Sequence, residues 1–246
     1  MPVDERYRRQ VELLVRTLPH VAQERCFALK GGTAINLFVR NLPRLSVDID
    51  LTYLPVADRA RSLADIEAAL RRIGERIEDA LPVARVQTGV LREEGTVNKL
   101  FVRERSTQIK IEVTPVLRGC VFEAEEKAVS DAVEEQFGFA AIQVVSFPDL
   151  FAGKLVAALD RQHPRDLFDV HDLLTNEGID DGLRTAFVVY VVSQREWPDS
   201  ETEIRVARAS LFSAQALARG LIADGRENEI QEIRAFISTI VPDPDA

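Results

Sequence analysis

Two stretches of the chain decide the fold, FALKGGTAINLF at residues 27–38 and RLSVDIDLTY at residues 44–53. In the first, the apolar residues 27–29 lead into two adjacent glycines and then an apolar segment at 34–40. This order predicts a strand, a tight turn and a helix. In the second, the alternating and β-branched residues 45–53 predict another strand.

The second of these strands carries two carboxylates, Asp48 and Asp50, at positions i and i+2. Side chains alternate between the faces of a strand, so both lie on one face. This pair suits Mg²⁺, which binds through one or two carboxylates together with substrate phosphates. A third acid, Glu112, lies on the polar face of a later predicted strand. If the strands are neighbours, the three acids form the site that two-metal phosphoryl transfer requires. As alternatives, a lone D-x-D pair is usually a solvated strand end, and Glu112 equally suits an ion pair with Lys99 or Lys110.

The turn between the first strand and its helix suits a phosphate. Adjacent glycines let an anion approach the backbone closely, and the N–H groups at the helix start face its charge. By itself a Gly-Gly pair predicts only a turn. The order of glycines, carboxylate pair and strand acid is what indicates phosphoryl transfer. The candidate nucleotide-binding residues in this part of the chain are Lys30, Gly31, Gly32, Thr33 and Ser46.

The remaining periodicities divide the chain into two parts. Up to about residue 145, helical patterns alternate with strands of period two, and beyond it only helical patterns occur. We therefore predict an α+β protein. A mixed β-sheet flanked by helices forms a first domain, 1–145, and a C-terminal helical domain follows, 146–246. The predicted helices are 4–18, 34–40, 58–81, 147–160, 165–176, 180–195, 201–219 and 226–240, and the further strands are 83–90, 99–105, 108–115 and 141–145.

A second polar cluster lies in the predicted helical domain. Lys154 and Arg161 share a helical face, and Asp166 and Asp169 share a face of the next helix. In one interpretation the basic pair binds triphosphate oxygens, while an aspartate orients a basic group or contacts the nucleotide. In the other, the four residues are interhelical salt bridges that hold two helices together. The residues alone slightly favour the second interpretation.

The composition limits the classes of function. The chain has 246 residues, 46% of them apolar, which suffices for one substantial core or two modest ones. A net charge of −9 argues against a globally basic nucleic-acid binder. Six basic residues nevertheless fall near the strands and turns of the candidate site, and they predict either a basic rim or simple solubilising charges. No basic stripe interleaved with aromatic residues stands out. The six are Arg40, Arg44, Lys99, Arg103, Arg105 and Lys110.

The sequence also predicts the compartment. No apolar run approaches the roughly 20 residues that a membrane-spanning helix needs, and the N-terminal residues lack the apolar core of a signal peptide. Cys26 and Cys120 each adjoin apolar residues, so we expect both to be reduced and buried. We therefore expect a cytoplasmic protein without a membrane partner.

Both motif-bearing segments resemble the nucleotidyltransferase family that includes the AbiEii-type and MenT-type toxins of bacterial toxin–antitoxin systems. Residues 27–53 look like the family's Gly-Gly/Ser-Thr turn followed by its D-x-D strand. Residues 154–174, KLVAALDRQHPRDLFDVHDLL, look like its downstream Lys-Leu-x-Ala…Arg…Arg-Asp-Leu-x-Asp signature. Their order and separation also fit, which makes the pair a specific signal.

The resemblance implies roles for particular residues. The family fold is a nucleotidyltransferase-like mixed sheet followed by a helical domain that completes the active site. The glycine turn would hold the triphosphate, the carboxylate pair would bind Mg²⁺, and Lys154 would bind phosphate. This implication favours function over simple salt bridging for Lys154. The catalytic residues implied in this way are Asp48, Asp50, Lys154, Asp166 and Asp169.

The resemblance also implies an activity. It predicts a Mg²⁺-dependent enzyme that transfers a nucleoside monophosphate from a nucleoside triphosphate to an acceptor, which in related toxins can be the 3′ end of tRNA. A cognate antitoxin would be its protein partner. Alternatives are a small-molecule or protein hydroxyl as acceptor, and a non-catalytic module that binds a nucleotide or a partner. The D-x-D-x-T sequence at 48–52 also fits haloacid-dehalogenase-like phosphatases, although no strongly apolar strand precedes it.

Overall fold

The chain divides into two compact units, Met1–Leu150 and Phe151–Ala246. The division falls a little after the boundary predicted at residue 145, within a helix that begins at Phe147. The residues that the computed structural model describes are 5–91, 95–161 and 163–193.

The first unit contains a β-sheet and the helices that flank it. Its strands are β1 Phe27–Lys30, β2 Asp48–Tyr53, β3 Ala84–Val90, β4 Val97–Glu104, β5 Thr107–Arg118, β6 Glu125–Ala128 and β7 Ala141–Val144. Its helices are α1 Glu5–Val21, α2 Gly31–Ala34, which continues as a π-helical turn over Ile35–Val39, α3 Arg59–Ala80 and α4 Asp131–Phe137.

The strand order places the two motif-bearing strands in the middle of the sheet. Within the described residues the order is β3-β4-β5-β2-β1-β7-β6. β2 is parallel to β5 and β1 is parallel to β7, whereas the other neighbours are antiparallel. The carboxylate-bearing β2 therefore lies between β1, which ends at the glycine turn, and β5, which carries the third acid. This topology confirms the predicted α+β class with a mixed sheet.

The two faces of the sheet differ in character. On one face, alternate residues of β2 such as Ile49 and Leu51 are fully buried, and the amphipathic helices α1 and α3 pack over the sheet. Burial of each apolar side chain of this size stabilises the fold by about 1.5–3 kcal/mol. Tyr53 points into the same layer, where its hydroxyl donates to Asp65 of α3 at 2.9 Å. Because β2 alternates, its carboxylate pair lies on the opposite, polar face.

Three elements differ from the prediction. β6 and α4 were not predicted, because β6 is a largely exposed, charged edge strand and α4 buries only Val133. Neither therefore has the apolar periodicity on which sequence prediction rests. The helix predicted at 34–40 begins earlier, at Gly31, directly after β1.

The second unit is helical in the part that the structure describes. His163 precedes α6 and caps it, since its ring Nδ1 accepts a hydrogen bond from the Arg165 backbone N–H at 3.2 Å. Pro164 takes the first helical position, where no N–H partner is needed. The helices predicted at 201–219 and 226–240 lie outside the described residues. The helices from the end of the first unit onward are α5 Phe147–Arg161, α6 Pro164–Asn176 and α7 Asp181–Ser193.

Two further expectations concern the compartment. Across the described residues, no helix has both the length and the apolar character needed to cross a bilayer. Cys26 and Cys120 are free and only partly buried. Burial raises the pKa of Cys26 to about 11 and that of Cys120 to about 12, so both thiols are protonated at neutral pH.

Candidate functional site

The glycine turn brings the backbone against the carboxylate pair. Gly31 follows β1 with a φ of +73°, a conformation that favours glycine. A Cβ at this position would lie 2.9 Å from Asp50 Oδ2. Gly31 is thus required both by its backbone angle and by the close approach of Asp50.

The second glycine packs against the loop that leads into β2. A Cβ on Gly32 would lie 3.1 Å from Ser46 Oγ and 3.1 Å from an Arg44 guanidinium nitrogen. Asn36, which is fully buried, donates from its side-chain amide to the Gly32 carbonyl at 2.7 Å. Sequence analysis missed Asn36, whose signal is a polar residue one helical turn after Gly32. Together these contacts fix the position of the turn.

Thr33 ties the turn to the strand that carries the acids. Its side chain is fully buried. Its hydroxyl lies 3.0 Å from Ser46 Oγ and donates to the backbone carbonyl of Asp48. The structure thus gives Thr33 and Ser46 a part in positioning Asp48, while their predicted part in phosphate binding stays a prediction.

The register of the central strands places the charged residues in two rows. Lys30, Asp50, Glu112 and Lys99 are direct partners across β1, β2, β5 and β4. Asp48 is opposite Lys110 in the next row. Neighbouring strands lie about 4.8 Å apart. The backbone positions of the three acids therefore lie close together on one face of the sheet, as predicted.

Lysines surround the third acid. Lys99 Nζ lies 2.8 Å from Glu112 Oε1, and Lys110 Nζ lies 2.7 Å from Glu112 Oε2. Burial acts to raise the pKa of Glu112, but the hydrogen bonds from the two lysines outweigh it and hold that pKa below its usual value. Glu112 therefore forms both of the ion pairs that the sequence offered as alternatives to metal binding.

The charge of Asp50 is disfavoured by its surroundings. Burial is the largest influence and raises its pKa, and the nearby negative charge of Asp48 acts in the same direction. The positive charges of Lys110 and Lys30 lower the pKa of Asp50 but do not cancel the rise. Burial beside this site also lowers the pKa of Lys30.

The carboxylate pair fits a divalent cation better than the full set of three acids does. Among the described residues, no group of three or more His, Cys, Asp or Glu side chains is arranged to hold a metal ion. Two carboxylates on one strand face nevertheless match the small number of protein ligands that Mg²⁺ uses. The raised pKa of Asp50 means that a cation placed here would relieve an unfavourable charge. Asp48 and Asp50 thus fit the metal, and Glu112 as a third ligand stays a prediction.

The predicted basic rim is partly assembled on the polar face. Lys99 and Arg103 lie on this face of β4, with Phe101 between them at period two, and Lys110 is opposite Phe101 on β5. One aromatic residue therefore interleaves the basic residues of this face, which is visible only when alternate residues of one face are compared. Arg105, in contrast, is exposed in the β4–β5 turn.

The second cluster forms a buried ion triad in the second unit. Lys154 Nζ lies 2.8 Å from Asp166 Oδ1 and 3.1 Å from Asp169 Oδ2. All three residues are less than 7% exposed. The structure thus shows the interhelical salt bridges of the second interpretation, between α5 and α6. The side chain of Arg161, the fourth predicted member, lies outside the described residues.

The chain is similar to known proteins both in its sequence profile and in its fold. The profile of the AbiEii family, the nucleotidyl transferase AbiEii toxin of type IV toxin–antitoxin systems, matches residues 12–246. Among solved structures, the chain is similar to MenT4, a nucleotidyltransferase toxin from Mycobacterium tuberculosis H37Rv, with a TM-score of 0.56 and 18% sequence identity. The match covers 75% of this chain and 64% of that chain. Comparison with curated protein sequences gives no match.

These findings agree with the resemblance seen in the two motifs. At 18% identity the similarity to MenT4 shows the fold alone, and the chain spans less than two thirds of MenT4. The family profile, however, spans almost the entire chain, including both the glycine turn with its carboxylate pair and the buried triad. The chain therefore belongs to the AbiEii nucleotidyltransferase toxin family of type IV toxin–antitoxin systems.

Proposed function

We propose that the protein is a Mg²⁺-dependent nucleotidyltransferase that transfers a nucleoside monophosphate from a nucleoside triphosphate to an acceptor. One observation carries the proposal: Asp48 and Asp50 share the polar face of a central strand, and the Gly31 turn approaches Asp50 directly. A phosphate can approach a glycine backbone closely, and a metal cation can stabilise its charge. Here the Gly31 turn supplies the glycine backbone, and Asp48 and Asp50 supply ligands for the cation.

The residues around the glycine turn and the central strands have different proposed roles. Gly31 and Gly32 lack the side chains that would clash with the carboxylate-bearing strand and the loop that leads into it. Asn36 and Thr33 hold this turn against β2. Asp48 and Asp50 are the proposed metal ligands, and Glu112 remains a candidate third. When bound, Mg²⁺ would supply charge stabilisation for the transferred phosphoryl group. Lys30 brings a positive charge to the same row.

The second unit contributes residues to the proposal as well. The family resemblance gives Lys154 a part in phosphate binding and gives Asp166 or Asp169 a part in completing the site. The buried triad is compatible with such roles, because an ammonium with three donors uses one on each aspartate. Arg161 stays a predicted phosphate-binding residue.

The acceptor, the partner and the compartment belong to the proposal too. We propose the 3′ end of a tRNA as acceptor, a cognate antitoxin as the protein that neutralises the enzyme, and a cytoplasmic site of action. Membership of a type IV toxin family supports the antitoxin. The lysines and arginines of the polar face support an anionic acceptor, because they supply positive charge beside the proposed metal ligands.

The test offers the protein each of the four nucleoside triphosphates, labelled at the α-phosphate, with Mg²⁺ and total bacterial tRNA. Wild-type protein is expected to move label onto RNA. The isosteric Asp50→Asn variant should be slower by about a thousandfold, because preorganised charge stabilisation is commonly worth that much. Asp79→Asn, which changes an exposed aspartate of α3, is the matched control and should behave as wild type.

The outcomes separate the alternatives. Full activity in Asp50→Asn would contradict the proposed site. Label that moves onto a protein or small molecule, but not onto RNA, would keep the chemistry and replace the acceptor. Absence of transfer to any acceptor, with nucleotide binding intact, would favour a non-catalytic binding module.

A further inference from the structure

The polar face of the sheet continues beyond the carboxylate pair toward the edge strand β3. Arg85 on β3 is opposite Arg103 on β4, and Gly89 is opposite Lys99. These positions face away from the helical layer, since the intervening Val86 contacts α3, where a Cβ on Gly74 would lie 3.4 Å from Val86 Cγ1. The surface formed by Arg85, Lys99, Phe101, Arg103 and Lys110 is here called the basic–aromatic face.

The charge of this face is opposite to that of the whole chain. The protein has a net charge of −9, yet the basic–aromatic face has four cationic side chains. The acid that lies among them, Glu112, pairs with Lys99 and Lys110 and so holds both ammonium groups beside the carboxylate pair. Each ammonium uses one of its three donors on Glu112, and both lysines remain about one third exposed. Such a face attracts polyanions.

An aromatic ring lies within these charges. Phe101 is partly exposed, and a Cβ on Gly89 would lie 3.2 Å from Phe101 Cε2, so the ring leans across the glycine. A larger residue at position 89 would displace the ring. Basic side chains that follow a backbone, together with an aromatic surface for a base, are the two components of single-strand recognition.

We propose that the basic–aromatic face binds the single-stranded end of the acceptor RNA, with one base stacked on Phe101. In this arrangement Arg85 and Arg103 contact backbone phosphates at the sheet edge. Lys99 and Lys110, positioned by Glu112, lead the strand toward Asp48 and Asp50. The inference rests on the proposed function for its acceptor but assigns residues that the family motifs do not contain.

The experiment measures equilibrium binding of a short fluorescein-labelled single-stranded RNA, without nucleotide and in the presence of EDTA. Phe101→Leu keeps apolar volume but removes the stacking surface, and it should weaken RNA binding about fivefold or more. Arg85→Gln and Arg103→Gln should each weaken it too, and each should lower the slope of log affinity against log salt by about 0.7.

The matched control is Lys127→Gln. Lys127 has the same 34% side-chain exposure as Lys99 and also pairs with a glutamate, but it lies on β6 at the other edge of the sheet. Its RNA affinity and salt slope should equal those of the wild type. Binding of a nucleoside triphosphate with Mg²⁺ should be unchanged in Phe101→Leu, Arg85→Gln and Arg103→Gln, since these residues contact the acceptor and not the nucleotide.

Two results would overturn the inference. The first is that the three variants bind RNA as tightly as Lys127→Gln does, and the second is that wild-type protein fails to bind the RNA at low salt. Because the assay uses neither metal nor nucleotide, it is independent of catalysis. A protein that binds RNA on this face but transfers no nucleotide would refute the proposed function and leave the present inference standing.

Discussion

The carboxylate pair on the sheet and the buried triad between α5 and α6 use the same residue types in opposite ways. In the triad, Lys154 satisfies Asp166 and Asp169 within 3.1 Å, and all three are buried. On the sheet, the lysines Lys99 and Lys110 pair with Glu112 instead. Asp50 is left with an unfavourable charge, so its pKa is raised by burial and by the neighbouring acid.

The two clusters differ in how far their charges are compensated by one another. Buried charges that pair with one another are costly to separate, because a charge left without compensation inside the protein is strongly destabilising. A carboxylate whose charge is disfavoured in the folded protein gains from any cation that binds beside it. We therefore expect substitutions in the triad to lower stability, whatever part Lys154 has in phosphate binding, and substitutions of Asp50 to affect mainly activity.

The largest expected effect on stability is that of Lys154→Met. Removing the ammonium takes a buried cation away from two buried carboxylates, which should cost about 3–5 kcal/mol of unfolding free energy. Urea unfolding followed by circular dichroism measures it. Lys127→Met removes a partly exposed lysine and should change the free energy by less than about 0.5 kcal/mol. Equal stability of the two variants would contradict the contrast between the clusters.

An intermediate effect is expected for Gly31→Ala. The new Cβ would lie 2.9 Å from Asp50 Oδ2, and the alanine would have to adopt the φ of +73° that Gly31 has. Gly95→Ala shares the backbone strain, with a φ of +68°, but its Cβ has no heavy atom within 4 Å among the described residues. The strain of a positive φ in alanine should lower the unfolding free energy of each variant by about 1–2 kcal/mol. Gly31→Ala should also lower nucleotide transfer about tenfold more than Gly95→Ala, because it displaces Asp50.

A smaller effect of opposite sign is expected for Asp50→Asn. Removal of the disfavoured charge should raise the unfolding free energy by about 1 kcal/mol at neutral pH while transfer is lost. Thermal unfolding monitored beside the activity assay tests both. A lower melting temperature in Asp50→Asn would show that the charge of Asp50 stabilises the fold, as the charges of the triad do.

The smallest expected effect is the pH dependence of that stability difference. The pKa of Asp50 is raised above 3.8 in the folded protein. Below pH 3.8 the carboxyl is protonated in both the folded and the unfolded states, so its charge costs nothing. The cost appears as the pH rises through the folded-state pKa and is complete above it. The stability advantage of Asp50→Asn should therefore vanish at acidic pH and reach a plateau near neutrality, and a pH-independent advantage would contradict this origin.

The sequence determined the elements that local chemistry specifies. The adjacent glycines after β1, the i and i+2 carboxylates of β2 and the helical spacing of α3, α5 and α6 each follow from a period or a backbone requirement. Their order along the chain was enough to indicate the family that the profile match shows. Short or exposed elements such as β6 and α4 left no comparable pattern.

Only the tertiary structure decided which charges are partners. Whether Glu112 meets the carboxylate pair or the lysines depends on strand order and register, which place Lys99 and Asp50 on either side of it. The basic–aromatic face likewise exists only because β3, β4 and β5 are neighbours. Side-chain pairing across strands depends on contacts between residues distant in sequence. The local periodicity of a sequence does not predict these contacts.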